Sequence, residues 1–112
     1  MKNYLICYFI LRQCLFETLE DDLSELLKEI SPELWENQNG KPENMIVYEQ
    51  WKNVIDSGKM SADDVRSSII SALECCGLSL EKTISHLKNA DMSYYLSTAS
   101  EMADELLNEW SV

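Results

Sequence analysis

Apolar side chains recur at intervals of three and four residues along most of this 112-residue chain. That spacing places them on one face of an α-helix, which is the pattern of a buried helical stripe. Only three glycines and two prolines are present, so the chain has few points at which a helix must end. We therefore expect one all-α domain, residues 1–112, folded as a compact bundle of five or six short helices.

The N-terminal part of the chain predicts two helices, over residues 3–16 and 19–30. The acidic run at residues 20–22 would open the second helix, where carboxylates suit the helix dipole, and Ser31-Pro32 would end it. Residues 4–11 are apolar nearly all round, so that a strand is the alternative to a buried helix there. The expected core stripe contains Leu5, Tyr8, Phe9, Leu11, Leu15, Leu19, Leu23, Leu26, Leu27 and Ile30.

The rest of the chain predicts a polar loop over residues 36–43 and then three or four further helices. A helix over residues 43–56 would end at Ser57-Gly58. Ser61 and Asp64 resemble a capping box, in which a side chain binds the free backbone N–H groups of a helix start. The remaining expected signals are Gly77 as a C-terminal cap, and Ser79 and Asp91 as N-terminal caps.

The chain is strongly acidic, with 20 Asp and Glu against 9 Lys and Arg and a formal net charge of −11. Such a field repels nucleic acid and anionic lipid, and it attracts basic proteins and speeds their encounter. We therefore expect no nucleic-acid partner and no membrane partner. The alternative is that the acidity serves only to keep the protein in solution.

The cysteines and the N-terminus both bear on where the protein resides. The four cysteines match no zinc or redox spacing, and the adjacent Cys75 and Cys76 cannot readily form an unstrained disulfide. All four lie among apolar residues, where a thiol acts as a small core side chain. The apolar start of the chain resembles a signal peptide but lacks small residues for cleavage and is too short to span a bilayer. We expect a cytoplasmic protein.

No group of residues predicts catalysis, a metal or a cofactor. His86 is the only histidine, and a lone histidine on a helix is most often structural. Carboxylates four residues apart share a helix face, but no metal-ligand arrangement accompanies them. The sequence therefore favours a protein that is not an enzyme and that binds no metal or cofactor.

The carboxylates form two groups in the sequence, one over residues 17–25 and one over residues 101–109. If the first and last helices are neighbours, these groups could form one negative face for a basic partner. The alternative is two unconnected solvated faces. The candidate binding residues are Glu17, Asp21, Asp22, Glu25, Glu101 and Glu105.

The large aromatic residues outside the first helix are candidates for the core or for partner contacts. Trp51 and Tyr95 fall on apolar stripes and are expected in the core. Trp35 lies in the connection between the second and third predicted helices and Trp110 near the end of the chain, so that each could be packed or be an exposed anchor. Packing is the interpretation we favour for the loop tryptophan, Trp35.

Residues 27–51 resemble a motif of small helical immunity proteins from bacterial contact-dependent growth inhibition and polymorphic toxin systems. The family pattern is an "sP-x-LWe" stretch, a loop ending in a D-P-A-like step, and a helix opening with Y/W-E-D/E-W. Here Pro42 and Glu43 stand near that step, but the loop is lengthened and departs from the pattern. The matching residues are Ile30, Ser31, Pro32, Leu34, Trp35, Glu36, Tyr48, Glu49 and Trp51.

The resemblance implies a cytoplasmic protein that binds one cognate toxin domain and neutralises it. It gives Pro32, Leu34, Trp35, Tyr48 and Trp51 a scaffold role, so toxin contacts would fall on the acidic groups. The toxin domain would be basic, such as a nuclease, and its active site or substrate groove would be masked. We expect a monomer or a weak homodimer.

Two other classes remain open. An acidic secretion chaperone or adaptor would hold an effector segment in an apolar groove and would form a homodimer. A small helical hydrolase would use paired carboxylates and a metal ion.

Overall fold

Six helices make up most of residues 1–32, 42 and 44–111, the part of the chain that the computed structural model describes. No strand occurs in these residues, which confirms the all-α prediction. The helices share one hydrophobic core. They are α1 (Lys2–Thr18), α2 (Asp21–Ile30), α3 (Met45–Trp51), α4 (Ala62–Cys75), α5 (Glu81–Asn89) and α6 (Met92–Trp110).

Helix α1 is the central element of the bundle. Every residue from Tyr4 to Leu11 is buried, as is Cys14, because α2, α3, α5 and α6 all pack against this helix. A helix enclosed in this way needs apolar side chains all round, and this accounts for the uniform composition of residues 4–11. The helical interpretation of this run is therefore confirmed, and the strand alternative is wrong.

Helix α1 makes its most extensive contact with α6, so the first and last helices are neighbours. The Nζ atom of Lys2 lies 2.9 Å from Oδ1 of Asp104 in the second half of α6. At the other end, Tyr95 in the first turns of α6 has a raised pKa, because of its burial and then of the nearby Cys14 and Glu17. These two pairings show that α1 and α6 run antiparallel.

Three helix-end signals in the sequence are confirmed. Ser61 accepts a hydrogen bond from the backbone N–H of Asp64 at 3.1 Å, and Asp91 accepts one from the N–H of Tyr94 at 3.2 Å. Gly77 follows α4 with a φ of +78°, the left-handed conformation that ends many helices. Each signal acts within a few residues of the helix end that it specifies.

The predicted third helix, 43–56, is wrong at its C-terminal end, because α3 stops at Trp51. Val54 and Ile55 still pack against the core, but they do so from a turn. Asn3 accepts hydrogen bonds from the Ser57 backbone N–H at 3.0 Å and the Ser57 hydroxyl at 2.9 Å. This long-range contact ties residue 57 to the start of α1 and redirects the chain before Gly58.

The predicted cap Ser79 is also wrong, because α5 begins after Leu80 and has no side-chain cap of its own. The backbone N–H of Ser79 donates instead to Oδ2 of Asp22 at 2.9 Å. The start of α5 is therefore bound by groups on α2.

Candidate partner-binding surface

The chain turns sharply between α1 and α2, and this turn exposes two large apolar side chains. Phe16 is 68 % exposed and Leu19 is 75 % exposed, while Glu17 and Asp21 beside them are also exposed. We call these four residues the α1–α2 corner. Leu19 was expected in the core stripe, and the structure corrects that prediction.

Leu19 is exposed because it makes the turn itself. It is the C-cap of α1, with φ 53° and ψ 31°, and its N–H donates to the Leu15 carbonyl at 2.8 Å. The left-handed conformation is unfavourable for any residue with a Cβ atom, and glycine or asparagine normally takes this position. In the described residues, Leu19 is the one non-glycine with positive φ.

Phe16 lies one turn before Leu19 on the outer side of α1. The guanidinium carbon of Arg12 lies 5.8 Å from the centre of the Phe16 ring, which is within the range of a cation–π contact. Such a contact leaves the other face of the ring open to solvent, consistent with the high exposure of the side chain.

Two carboxylates at the start of α2 bind the chain at the start of α5. Glu20 accepts hydrogen bonds from the backbone N–H of Lys82 at 2.9 Å and of Thr83 at 3.0 Å. It also accepts one from the Thr83 hydroxyl at 2.7 Å, and Asp22 accepts one from Ser79. These bonds cap α5 from a different helix and hold the α1–α2 corner in place.

The pKa of Glu20 lies below its ordinary value. Desolvation by itself would raise this pKa, but the hydrogen bonds from Thr83 and Lys82 favour the charged form and outweigh it. The capping carboxylate is therefore ionised at neutral pH.

The six candidate binding residues occupy different settings. Glu17, Asp21, Glu25, Glu101 and Glu105 are exposed, whereas Asp22 is half-buried and bound to Ser79. Glu25 also lies 3.1 Å from Lys28, in a solvent-exposed ion pair of small energetic value.

The two acidic groups lie toward opposite ends of the α1–α6 pair. Because the helices are antiparallel, the second half of α6, which contains Glu101 and Glu105, runs beside the first half of α1, whereas Glu17 lies at the C-terminal end of α1. Asp104 is paired with Lys2, and Arg12 lines a shallow cleft with Glu105. The acidic surface is thus divided, and the part at the α1–α2 corner also has two large exposed apolar side chains.

His86 and the buried cysteines, the other chemically reactive side chains, have structural roles. Nε2 of His86 and the Tyr95 hydroxyl are hydrogen bonded at 2.7 Å, as expected for a structural histidine. Burial raises the pKa of Cys7 and Cys14 to about 12, so these thiols are unreactive core groups. Cys75 was expected among core residues but is exposed, which corrects that prediction.

Those residues of the immunity-protein motif that the structure describes lie mostly against the core. Pro32 and Trp51 are buried, and the half-buried Tyr48 ring lies 5.2 Å from the Tyr4 ring. The expected core positions of Trp51 and Tyr95 are confirmed, and Trp110 is half-buried against the core. The predicted scaffold residues Leu34 and Trp35 lie outside the described residues.

A second surface feature lies where α2, α3 and the end of α4 meet. It is a half-open cleft of about 490 Å³ in the described part of the chain. Its lining combines apolar side chains and two thiols with the polar groups of Glu29 and Gln50. The remaining lining residues are Leu26, Trp51, Val54, Ala72, Cys75, Cys76 and Leu78.

Among the residues described, no helix has the length and apolar character needed to cross a membrane, and no three His, Cys, Asp or Glu side chains converge as metal ligands. Comparison with known proteins found no matching protein-family model, no matching curated protein and no matching solved structure.

Proposed function

We propose that this chain is an immunity protein that binds and neutralises a cognate basic toxin domain, such as a nuclease. The observation that carries the proposal is the position of the carboxylates. Glu17, Asp21, Glu25, Glu101 and Glu105 are all exposed on a well-packed helical scaffold, where they are accessible to a basic partner. The resemblance of residues 27–51 to helical immunity proteins supports the same function.

In this proposal the protein is not an enzyme, needs no cofactor or metal, and acts in the cytoplasm of the toxin-producing cell as a monomer or weak homodimer. A nuclease groove is lined by Lys and Arg because it must bind phosphates. Carboxylates on an inhibitor can occupy that groove in place of the substrate. The formal charge of −11 would also steer the inhibitor to the toxin and speed association at low salt.

The proposal is tested by calorimetric titration of the protein into the catalytically disabled toxin domain encoded immediately upstream. We expect a stoichiometric complex of nanomolar affinity, with an association rate that falls as salt is added. A non-cognate toxin domain of similar charge is the control, because it separates specific recognition from general attraction. Absence of heat, together with absence of protection on co-expression with the active toxin, would rule out the proposal.

The cleft between α2, α3 and α4 favours a second candidate, an acidic secretion chaperone that binds an effector segment. Its apolar lining could accept one or two large side chains of an extended peptide. This function predicts a stable homodimer and binding to an unfolded segment. Light scattering after size-exclusion chromatography distinguishes the two, since a monomer that binds a folded domain contradicts the chaperone function.

A further inference from the structure

Phe16 and Leu19 at the α1–α2 corner keep large apolar side chains in water, and neither belongs to the hydrophobic core of the described residues. We propose that Phe16 and Leu19 are the anchor residues of the partner interface, with Glu17 and Asp21 as its charged rim. The partner is a folded protein whose surface has an apolar pocket bordered by Lys and Arg. This inference rests on the proposed function and assigns the surface that performs it.

The first argument is the contrast in exposure along α1. The apolar residues from Tyr4 to Leu11 are buried, whereas Phe16 and Leu19 have most of their surface in water. Large exposed apolar side chains beside charged ones are typical of the anchors that dominate protein–protein binding energy.

The second argument is the backbone of Leu19. Its left-handed conformation would be relieved by glycine or asparagine, and its exposed side chain contributes little to the core. Stability alone therefore disfavours leucine at this position. Backbone strain that persists in a folded protein is characteristic of functional sites. A contact between the Leu19 side chain and a partner protein accounts for a leucine at this position.

The third argument is the rigidity of the corner. Glu20 and Asp22, on either side of Asp21, are hydrogen bonded to the start of α5. An anchor held in place before binding loses little conformational entropy on binding. The corner is thus preorganised for docking.

The charge of the α1–α2 corner indicates which kind of partner binds there. Glu17 and Asp21 are exposed beside the apolar pair, and Glu20 and Asp22 add two further carboxylates to the same turn. Docking two copies of this corner would bring these carboxylates together, whereas a basic partner would neutralise them. The nearby Arg12 is placed over the Phe16 ring. The surface therefore fits a basic protein better than a second copy of the chain.

The inference is tested with Phe16→Ser and Leu19→Asn, each titrated into the disabled toxin domain encoded upstream. Asparagine tolerates the left-handed conformation, so Leu19→Asn removes the anchor while the turn is retained. The matched control is Ile46→Ser on α3, because Ile46 is 74 % exposed and lies outside the corner. We expect each corner variant to weaken binding by about 30-fold or more, the effect of losing an interface hot spot, and the control to bind like the wild type.

The outcomes separate the surface from the function. If the wild type binds and both corner variants, verified as folded by circular dichroism, bind equally well, the corner is not the interface, although the proposed function stands. If the wild type does not bind, the proposed function fails and this assignment fails with it. A wild-type homodimer that Phe16→Ser converts to a monomer would overturn the assignment in favour of a second copy as the occupant.

Discussion

Replacing Glu20 by alanine is expected to destabilise the protein by about 2–4 kcal/mol, even though Glu20 itself is only half-buried. The loss has two parts. The backbone N–H groups of Lys82 and Thr83 lose the acceptor that caps α5, and a lost N-cap costs about 1 kcal/mol. The hydroxyl of Thr83, a residue that is 0 % exposed, also loses its acceptor, and a buried unsatisfied group costs about 1–3 kcal/mol.

Two further variants make this reasoning specific. Glu20→Gln retains an acceptor oxygen but loses the charge, and it should cost about half as much as alanine, since bonds to charged groups are roughly twice as strong. Glu81→Ala is the matched control, because Glu81 is an exposed carboxylate in the first turn of α5 itself. We expect it to cost less than about 1 kcal/mol, the usual size of a helix-dipole effect.

Urea denaturation at neutral pH, followed by circular dichroism, measures these differences. In a thermal scan the alanine variant should melt roughly 10–15 °C below the wild type, given the usual relation between free energy and Tm for a small domain. An alanine variant as stable as the wild type, or no less stable than Glu81→Ala, would refute the capping of α5 by Glu20.

The same group predicts a pH dependence. The pKa of Glu20 in the folded protein lies below its ordinary value of 4.5, so the unfolded state takes up the proton first as the pH falls. The stabilisation is therefore complete above the unfolded-state pKa and is lost as the pH falls through the folded-state pKa. The stability gap between wild type and Glu20→Gln should narrow over this acidic range, and a gap that stays constant would contradict the prediction.

Three other perturbations follow from the described contacts. Leu19→Gly should stabilise the protein by up to about 1 kcal/mol in urea denaturation, because it relieves the left-handed strain; a loss of stability would show that the leucine packs inside the protein. A maleimide should label Cys75 in the folded protein and reach Cys7 and Cys14 only after unfolding, and mass spectrometry that finds early labelling of the buried pair would contradict their assigned burial. Arg66→Lys should cost about 1–2 kcal/mol, since a single ammonium cannot replace the guanidinium that binds two carbonyls at the end of α5; equal stability would argue against this bridge.

The features that could be predicted from the sequence are those specified by nearby residues. The spacing of apolar residues identified the helical class. Ser61 and Asp91 each marked a helix start through a hydrogen bond to a residue three positions away, and Gly77 marked a helix end by its left-handed backbone. The end of α3 and the cap of α5 could not be predicted in the same way. Asn3 binds Ser57, and Glu20 binds Thr83, so these boundaries depend on contacts between distant parts of the chain.

The candidate surface was predicted only in part. The exposure of Glu17 and Asp21 follows from their charge, but the exposure of Leu19 was missed because this residue continues the spacing of the core stripe. One sequence signal could have identified the unusual position of Leu19. Two helices that meet at a sharp corner commonly need a residue in the left-handed region, and residues 18–22 contain no glycine or asparagine to take it.

The enclosure of α1 also has a consequence for the synthesis of the chain. This apolar helix leaves the ribosome well before α6, its main packing partner, which lies far along the chain. At a translation rate of about 5–20 residues per second, α1 emerges roughly 5–20 s before synthesis of that partner is complete. During this interval its apolar surface is open to chaperones and to other nascent chains, so correct folding of the bundle depends on completion of α6.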